Sequence, residues 1–384
     1  RPGSALFAAA CAAGLLSAAA LAGPFDTWSY KSKVTFYGYG KQALTNFPAL
    51  VMFGTNMPAM QYEDFLANAA DLRFADSNES AELYYNIDEW VTNGTSLVWV
   101  QVPRLSGTNT YVWAYWGKIG ASKPAYTTNG ATWTAGYRGV WHLNEGAAPC
   151  LDSSTNSNTG TKSGNTAQTT GKVGKAQTFD GSGDYVDCGT AVNLDMGLPR
   201  TVSAWIRPSS LVAYGAVVGK DSQRTGASYS YMMCCNNDGT LISYDSGAWR
   251  SSPNVGISAG NWYHVTYLTT GNGWIQFYVN GQRVGSNTWG HADNAAHNVY
   301  IGSWYTSGYD FNGIIDEVRI ASAARSSNWI WACYRSQAAN GAFTRYGAAS
   351  YPTLTVVSQP ASSLKVRSAR LNGIVGGTGG GPNP

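Results

Sequence analysis

Charge is scarce in this 384-residue chain. Asp, Glu, Lys and Arg make up 12% of it, and the net charge is +3. No run of lysine and arginine occurs, so no nucleic-acid partner is expected; an aromatic-rich chain alone is a weak sign of one. Histidine is limited to 4 residues, His142, His264, His291 and His297. No G-x-S-x-G elbow accompanies them, so a nucleophilic triad is not expected. The cysteines show no C-x-x-C spacing, which argues against a zinc site.

What the chain has instead is Gly (45), Tyr (24) and Trp (15), with 44% hydrophobic residues. That is a soluble, β-rich composition with enough apolar side chains for real cores. The length allows one to three domains. The stretch from Asn261 to Ile320 is the most informative. Trp262, His264, Thr266 and Leu268 alternate with Tyr263, Val265 and Tyr267, the period of a strand. A Gly271-Asn272-Gly273 turn leads to a second strand, Trp274 to Val279, and Asn280-Gly281 is a strong hairpin signal. Val299 to Ser303 and Gly313 to Ile320 add two more strands. Such a meander must bury one face against a second sheet.

Arg1 precedes an alanine-rich apolar run that ends in Ala20-Leu21-Ala22 before Gly23. The run is just long enough to span a membrane, but its alanine content and small-residue end favour a secretory signal over residues 1–22. Export allows disulfides. Five cysteines remain after the signal, Cys150, Cys188, Cys234, Cys235 and Cys333. Their pairing is open, and Cys234 and Cys235 point to opposite faces if they lie on a strand. Strand-like segments fill 23–118, with one helical turn at Tyr62 to Ala70. Residues 119–136 are polar and small, a linker by composition. After 336 the chain becomes Ala-, Ser- and Pro-rich. Leu354 to Val357 and Ser368 to Val375 look like the first strands of a fibronectin III-like or Ig-like module within 337–384.

Several blocks carry a resemblance. Trp141-His-Leu-Asn-Glu-Gly146, Phe179-Asp-Gly-Ser-Gly-Asp-Tyr-Val186, Thr201-Val-Ser-Ala-Trp-Ile-Arg-Pro208, the 262–285 hairpin and Phe311-Asn-Gly-Ile-Ile-Asp-Glu-Val-Arg-Ile320 resemble, in order, the LamG-like jelly-roll family of concanavalin A-like sandwiches. Asp71 to Asp76, Glu82 to Trp90, Leu97 to Pro103 and Tyr111 to Gly117 resemble the DUF2341 family, which often directly precedes a LamG-like domain in exported prokaryotic proteins. The fold implied is all-β, two tandem antiparallel β-sandwich domains at 23–118 and 137–336. Fold alone does not fix function.

Sandwich glucanases place their two carboxylates on one strand at alternate positions, and either glycosidase geometry needs the pair close together. Asp184 and Asp187 are three apart, Asp316 and Glu317 are adjacent, and Asp195 stands alone. None of these puts two carboxylates on one face, so the chain is not expected to be an enzyme. The loop Asp152-Ser-Ser-Thr-Asn156-Ser-Asn158-Thr-Gly160 is dense in the oxygens Ca²⁺ prefers. The resemblance implies that it lies near the closing Asp316. A structural calcium ion held by Asp152, Asn156 and Asp316 is therefore expected, although Thr155 and Ser157 replace glycines of the family's loop. The same oxygens also suit Asx turns. Ring-stacking on a sugar is the other chemistry at hand. Its candidates are Tyr231, Trp249, Trp304, Tyr305 and Tyr309, with core packing as the competing use. The expected function is non-catalytic recognition of a glycan or surface polymer by a secreted or cell-surface protein without an integral membrane segment in the mature chain. A structural spacer, or the accessory binding region of a carbohydrate-active enzyme, is the alternative.

Overall fold

The computed structural model describes residues 23–147, 149–220, 231–245, 248–288, 297–304, 309–350, 355–365 and 368–376. The expected signal at 1–22, His291 and Tyr305 lie outside the described residues.

The first unit contains β1 (Tyr30–Thr35), β2 (Leu44–Phe53), β3 (Arg73–Ala75), β4 (Glu82–Leu83), β5 (Tyr85–Glu89), β6 (Ser96–Leu105) and β7 (Tyr111–Trp116). The expected turn near Tyr62 is two 3₁₀ turns, Tyr62–Asp64 and Ala67–Ala69. Strands β2, β6 and β5 pair as one sheet; β1, β7, β3 and β4 form most of the other. β2 and β6 read as near-continuous apolar runs because they are buried along most of their length.

The second unit contains β8 (Tyr137–Trp141), β9 (Thr161–Ser163), β10 (Ala167–Thr170), β11 (Lys175–Asp180), β12 (Tyr185–Asp187), β13 (Arg200–Pro208), β14 (Gly215–Lys220) and β15 (Tyr231–Cys235). It continues with β16 (Leu241–Asp245), β17 (Ala248–Ser251), β18 (Tyr263–Thr269), β19 (Trp274–Val279), β20 (Gln282–Thr288), β21 (Val299–Ile301) and β22 (Asn312–Ala321). An eight-stranded sheet runs β10-β11-β22-β13-β18-β19-β20 with β8 on β22, and a seven-stranded sheet runs β17-β16-β15-β14-β21-β12-β9. All of these strand pairings are antiparallel. The Asn280-Gly281 turn closes β19 onto β20, both residues at positive φ (50° and 76°), as a two-residue hairpin of this chemistry demands.

Two expected boundaries are corrected. Residues 119–136 are not a linker. They fold into 3₁₀ turns at Ala125–Thr127 and Ala131–Trp133, and Trp133 is fully buried in the first unit's core. Gly130 is at φ +84°, and a Cβ there would meet Thr155 N at 2.2 Å, so this segment abuts the 152–160 loop at a distance only glycine permits.

The second correction concerns the end of the jelly roll. Residues 327–346 form helix α1 (Ser327–Ala338), the short helix α2 (Asn340–Phe343) and strand β23 (Arg345–Tyr346). Ser326 caps α1, its hydroxyl accepting from Trp329 N (3.2 Å). Trp329, Ile330, Cys333 and Gln337 fall on its buried side at helical spacing. Trp329 meets Phe47 edge-on at 5.2 Å, Asn340 Nδ2 donates to Leu50 O (2.9 Å), and β23 pairs with β1. On its other side Gln337 accepts from Trp205 Nε1 (2.5 Å), and Ile330 packs on Leu268 and Tyr278. The helix is thus wedged between the two units, and the first unit is completed by chain that follows the second.

At the end of the described chain, β24 (Thr355–Lys365) and β25 (Ser368–Gly376) form a two-stranded antiparallel sheet, on the segments read as the start of a further module. The cysteines Cys150, Cys188, Cys235 and Cys333 are buried free thiols, and Cys234 is buried next to Cys235 on β15.

Candidate functional site

The seven-stranded sheet has two apolar faces. Along β15, Tyr231, Met233 and Cys235 join the sandwich core, while Met232 and Cys234 belong to a separate cluster on the opposite face. Alternation along a strand produces this division. The opposite face also holds Ala216, Ile242 and Trp304, with Tyr214, Tyr244, Trp249 and Tyr309 packed over them and only partly buried.

The rings form one connected group. Trp249 stacks on Tyr214 at 4.6 Å (28° between planes) and lies 5.7 Å from Trp304 (15°). Tyr244 meets Trp249 edge-on at 5.0 Å, and Tyr309 lies 4.4 Å from Trp304. Tyr214 and Tyr309 both sit at left-handed φ (59° and 65°), a true outlier for bulky residues. Each is held there by the backbone: Tyr214 N donates to Asn236 Oδ1 (3.0 Å), and Tyr309 O accepts from Ala216 N (2.9 Å). Backbone strain of this kind concentrates at binding sites.

The structure therefore divides the expected sugar-stacking residues. Trp249 and Tyr309 come together on the outer face. Trp304 lies beneath them at 2% exposure, as the floor of the cluster. Tyr231 is corrected to a core residue: it is fully buried on the inner face and its hydroxyl donates to Leu194 O (3.2 Å). Tyr214 was not foreseen, since a lone tyrosine before a glycine carries no pattern.

The expected metal residues do not form a ligand set. Asp152 Oδ1 accepts from Val140 N (2.9 Å) and Ser154 N (2.8 Å), and its Oδ2 accepts from Ser154 Oγ (2.9 Å) and Asn158 N (2.8 Å). Donor hydrogens therefore occupy the positions a cation would need. Asn156 Nδ2 donates to Tyr137 O (3.2 Å). Asp316 is fully buried, its Oδ2 accepting from Lys172 N (2.7 Å) and Val173 N (2.8 Å). The loop is an Asx-type turn tied to β8, the competing use named above.

A charged cluster that spacing alone did not reveal lies at the seam between the units. His142, just after β8, points Nδ1 at Glu317 Oε1 (2.6 Å) and at Asp88 Oδ2 (3.5 Å). Its Nε2 is 3.0 Å from Asn86 Oδ1, which also accepts from Trp133 Nε1 (3.2 Å). Both ring nitrogens face acceptors, so the ring is an imidazolium. Glu317 Oε2 accepts from Arg319 Nη2 (2.6 Å), whose guanidinium lies over Trp99 and Trp133. Asp88 accepts from Trp99 Nε1 (3.0 Å) and Asn144 Nδ2 (2.8 Å). Glu317 reaches this position through a bulge: it takes φ +51°, and the β13–β22 register shifts between Ser203 and Trp205.

Burial alone would lower the His142 pKa, but Asp88 and Glu317 overcome it and hold it up to about 9. Burial would raise Glu317, yet His142 and Arg319 bring it down to about 2. Asp88 is raised by burial to about 6, against the pull of His142. Asp88, His142 and Glu317 are the one trio among the described residues close enough to share a metal ion. The trio fits an ion-pair network instead, because Arg319 already neutralises Glu317 and each His142 nitrogen carries a proton. Side chains 1–5% exposed also bar a substrate.

Comparison with known proteins agrees with this architecture. Residues 180–331 match the Laminin_G_3 family, described as the concanavalin A-like lectin/glucanases superfamily, and residues 68–134 match DUF2341, a domain of unknown function. No curated protein matches. Similar solved structures include domain 4 of AbnA, a GH43 extracellular arabinanase from Geobacillus stearothermophilus, in complex with arabinotriose (22% identity, 51% of this chain and 96% of that one, TM-score 0.42). Another is the binding domain of Paraclostridial Mosquitocidal Protein 1 (14% identity, 52% of this chain and 52% of that one, TM-score 0.43). A third is the CBM40 of Ruminococcus gnavus IT-sialidase bound to α2,3-sialyllactose (12% identity, 41% of this chain and 96% of that one, TM-score 0.36). The chain thus carries a DUF2341 region followed by a concanavalin A-like domain of the Laminin_G_3 family.

Proposed function

We propose that the chain is a non-catalytic recognition module of a secreted or cell-surface protein, and that it takes a saccharide on the outer face of its seven-stranded sheet. The observation that carries this reading is the group of partly exposed rings, Tyr214, Tyr244, Trp249 and Tyr309, mounted on a buried Trp304. A sugar's C–H face gains affinity from a rigid ring that loses little entropy on binding. The carboxylates support the non-catalytic side. Asp316 and Glu317 are buried, and Asp184 accepts from Asn165 N (2.7 Å) and Asp180 N (2.9 Å). No described helix is long and apolar enough to cross a membrane, and the sequence of 1–22 supports export.

A glycan array run on the full chain tests the reading. Trp249→Ala is expected to weaken binding to the preferred sugar class by up to about tenfold, the worth of one stacked ring, with a smaller loss of stability than removal of the buried Trp304. Trp304→Ala is expected instead to cost about 3–5 kcal/mol of stability. Chelator is expected to change nothing, because donors saturate Asp152. Absence of binding by a folded chain to every sugar class would move the reading to a structural spacer.

A further inference from the structure

A second site lies on a different surface. A cleft of about 540 Å³ opens where the first unit, the second unit and the start of α1 meet. Lys41 enters it from the β1–β2 connection, Gln282 and Arg283 from β20, Arg325 from just before α1, and Asn328 and Trp331 from the start of α1. Three cations and no carboxylate line it among the described residues. Among the described residues, none of the three forms a salt bridge.

The cations are held differently. Arg325 is partly buried and fixed: it donates through Nη2 to Ala135 O and lies over Tyr137 (4.7 Å) and Trp329 (4.1 Å). Lys41 and Arg283 are exposed, with Lys41 Nζ 4.8 Å from the Trp331 ring centre. Lys41 and Arg283 therefore bring exposed positive charge to the cleft with no described salt-bridge partner, which an anion bound there would neutralise. The whole chain carries only +3, too little for a nucleic-acid surface. The walls instead combine sparse charge with amides and an indole, groups that suit hydroxyls and a ring as well as an acidic substituent.

We infer that this cleft binds an acidic polysaccharide through its carboxylate or sulfate groups, as a site separate from the aromatic face. Lys41 and Arg283 pair with the acidic groups. Arg325 and Trp331 form the fixed wall, and Gln282 and Asn328 are the hydrogen-bonding partners of the hydroxyls. The inference does not depend on the proposed sugar site, so either can fail alone.

Titration calorimetry of the full chain at low and high salt tests it, with polygalacturonate as the carboxylated probe, heparin as the sulfated probe, and dextran and single-stranded DNA as controls. Salt-sensitive binding to at least one acidic polysaccharide is expected, and the preferred probe identifies the acidic group. The double variant Lys41→Ala/Arg283→Ala is expected to weaken binding about tenfold, the loss of two exposed charge contacts. Both residues are exposed, so an unchanged melting temperature accompanies that loss. Trp249→Ala is expected to leave it intact. No binding to either acidic probe, binding that survives the double variant, or equal affinity for the DNA would overturn the assignment.

Discussion

A chain cut after Arg325 is expected to leave the first unit unfolded, although every residue of the DUF2341 match would still be present. The cut removes Trp329, Phe343 and Tyr346, all buried in the first unit's core. Deleting one large buried ring typically costs about 3–5 kcal/mol, and a domain's whole stability is about 5–15 kcal/mol. It also unpairs β1 from β23 and leaves Leu50 O without Asn340 Nδ2. Limited proteolysis and near-ultraviolet circular dichroism of 23–325 against 23–350 check this. Rapid cleavage between residues 30 and 116 is expected in the short chain only. Equal protection in both would show that α1 and β23 merely decorate a complete unit. Even a boundary at 336 is too early, since it cuts α1 and omits β23.

The second large effect is expected at the seam. Glu317→Gln leaves Arg319 without its described salt-bridge partner and His142 with Asp88 alone. Removing one partner of a buried ion pair typically costs about 3–5 kcal/mol, and urea unfolding measures it directly. The same network predicts a pH dependence. The folded His142 pKa, about 9, lies above its ordinary 6.5. Its contribution is therefore complete below pH 6.5 and is lost as pH rises through 9, a fall of about 3 kcal/mol at one unit per 1.4 kcal/mol. Burial, aided by Arg319, holds His264 down to about 3, so its contribution is lost on the other side, as pH falls below 6.5. Asp88, raised by burial to about 6, favours the fold when protonated and loses that preference as pH climbs from 4 to 6. Stability is expected to peak near pH 6–7. In His142→Gln the slope between pH 6.5 and 9 should become clearly shallower, any remainder belonging to Asp316, whose carboxyl is held well above its ordinary range by burial and Glu317; an unchanged slope would place the titrating group elsewhere.

Local chemistry was legible where it sufficed. Asn280-Gly281 dictates a hairpin by its own backbone preferences, and the alternation from Trp262 to Leu268 marks a strand. Tyr231 is not separable from a ligand-facing ring in the sequence because Tyr231-Met-Met-Cys-Cys235 is apolar throughout and buried throughout, so polarity gives no sign of which side chains face inward. The 152–160 loop was read from its side-chain oxygens, whereas the backbone N–H groups that fill Asp152 are invisible in a list of side chains. Trp133 was lost in a polar stretch whose composition resembles a linker. The seam cluster joins Asp88, His142 and Glu317, distant in sequence and divided between units, so no spacing rule could unite them. The helical rhythm of Ser326, Trp329, Ile330 and Cys333 was present, but it follows the last strand of a recognised jelly roll and was absorbed into its end.

The pairing of β1 with β23 also governs how the molecule bears load. Lys31 and Ser350 exchange backbone hydrogen bonds at 2.9 Å each, and Thr35 pairs with Arg345. Tension applied at residues 23 and 350 therefore pulls on the same end of an antiparallel pair and peels it open one bond at a time. The sandwich between Tyr137 and Ala321 lies outside that path. It would feel no stretching until the zipper had opened, so a ligand held on its outer face would stay bound while the first unit yields.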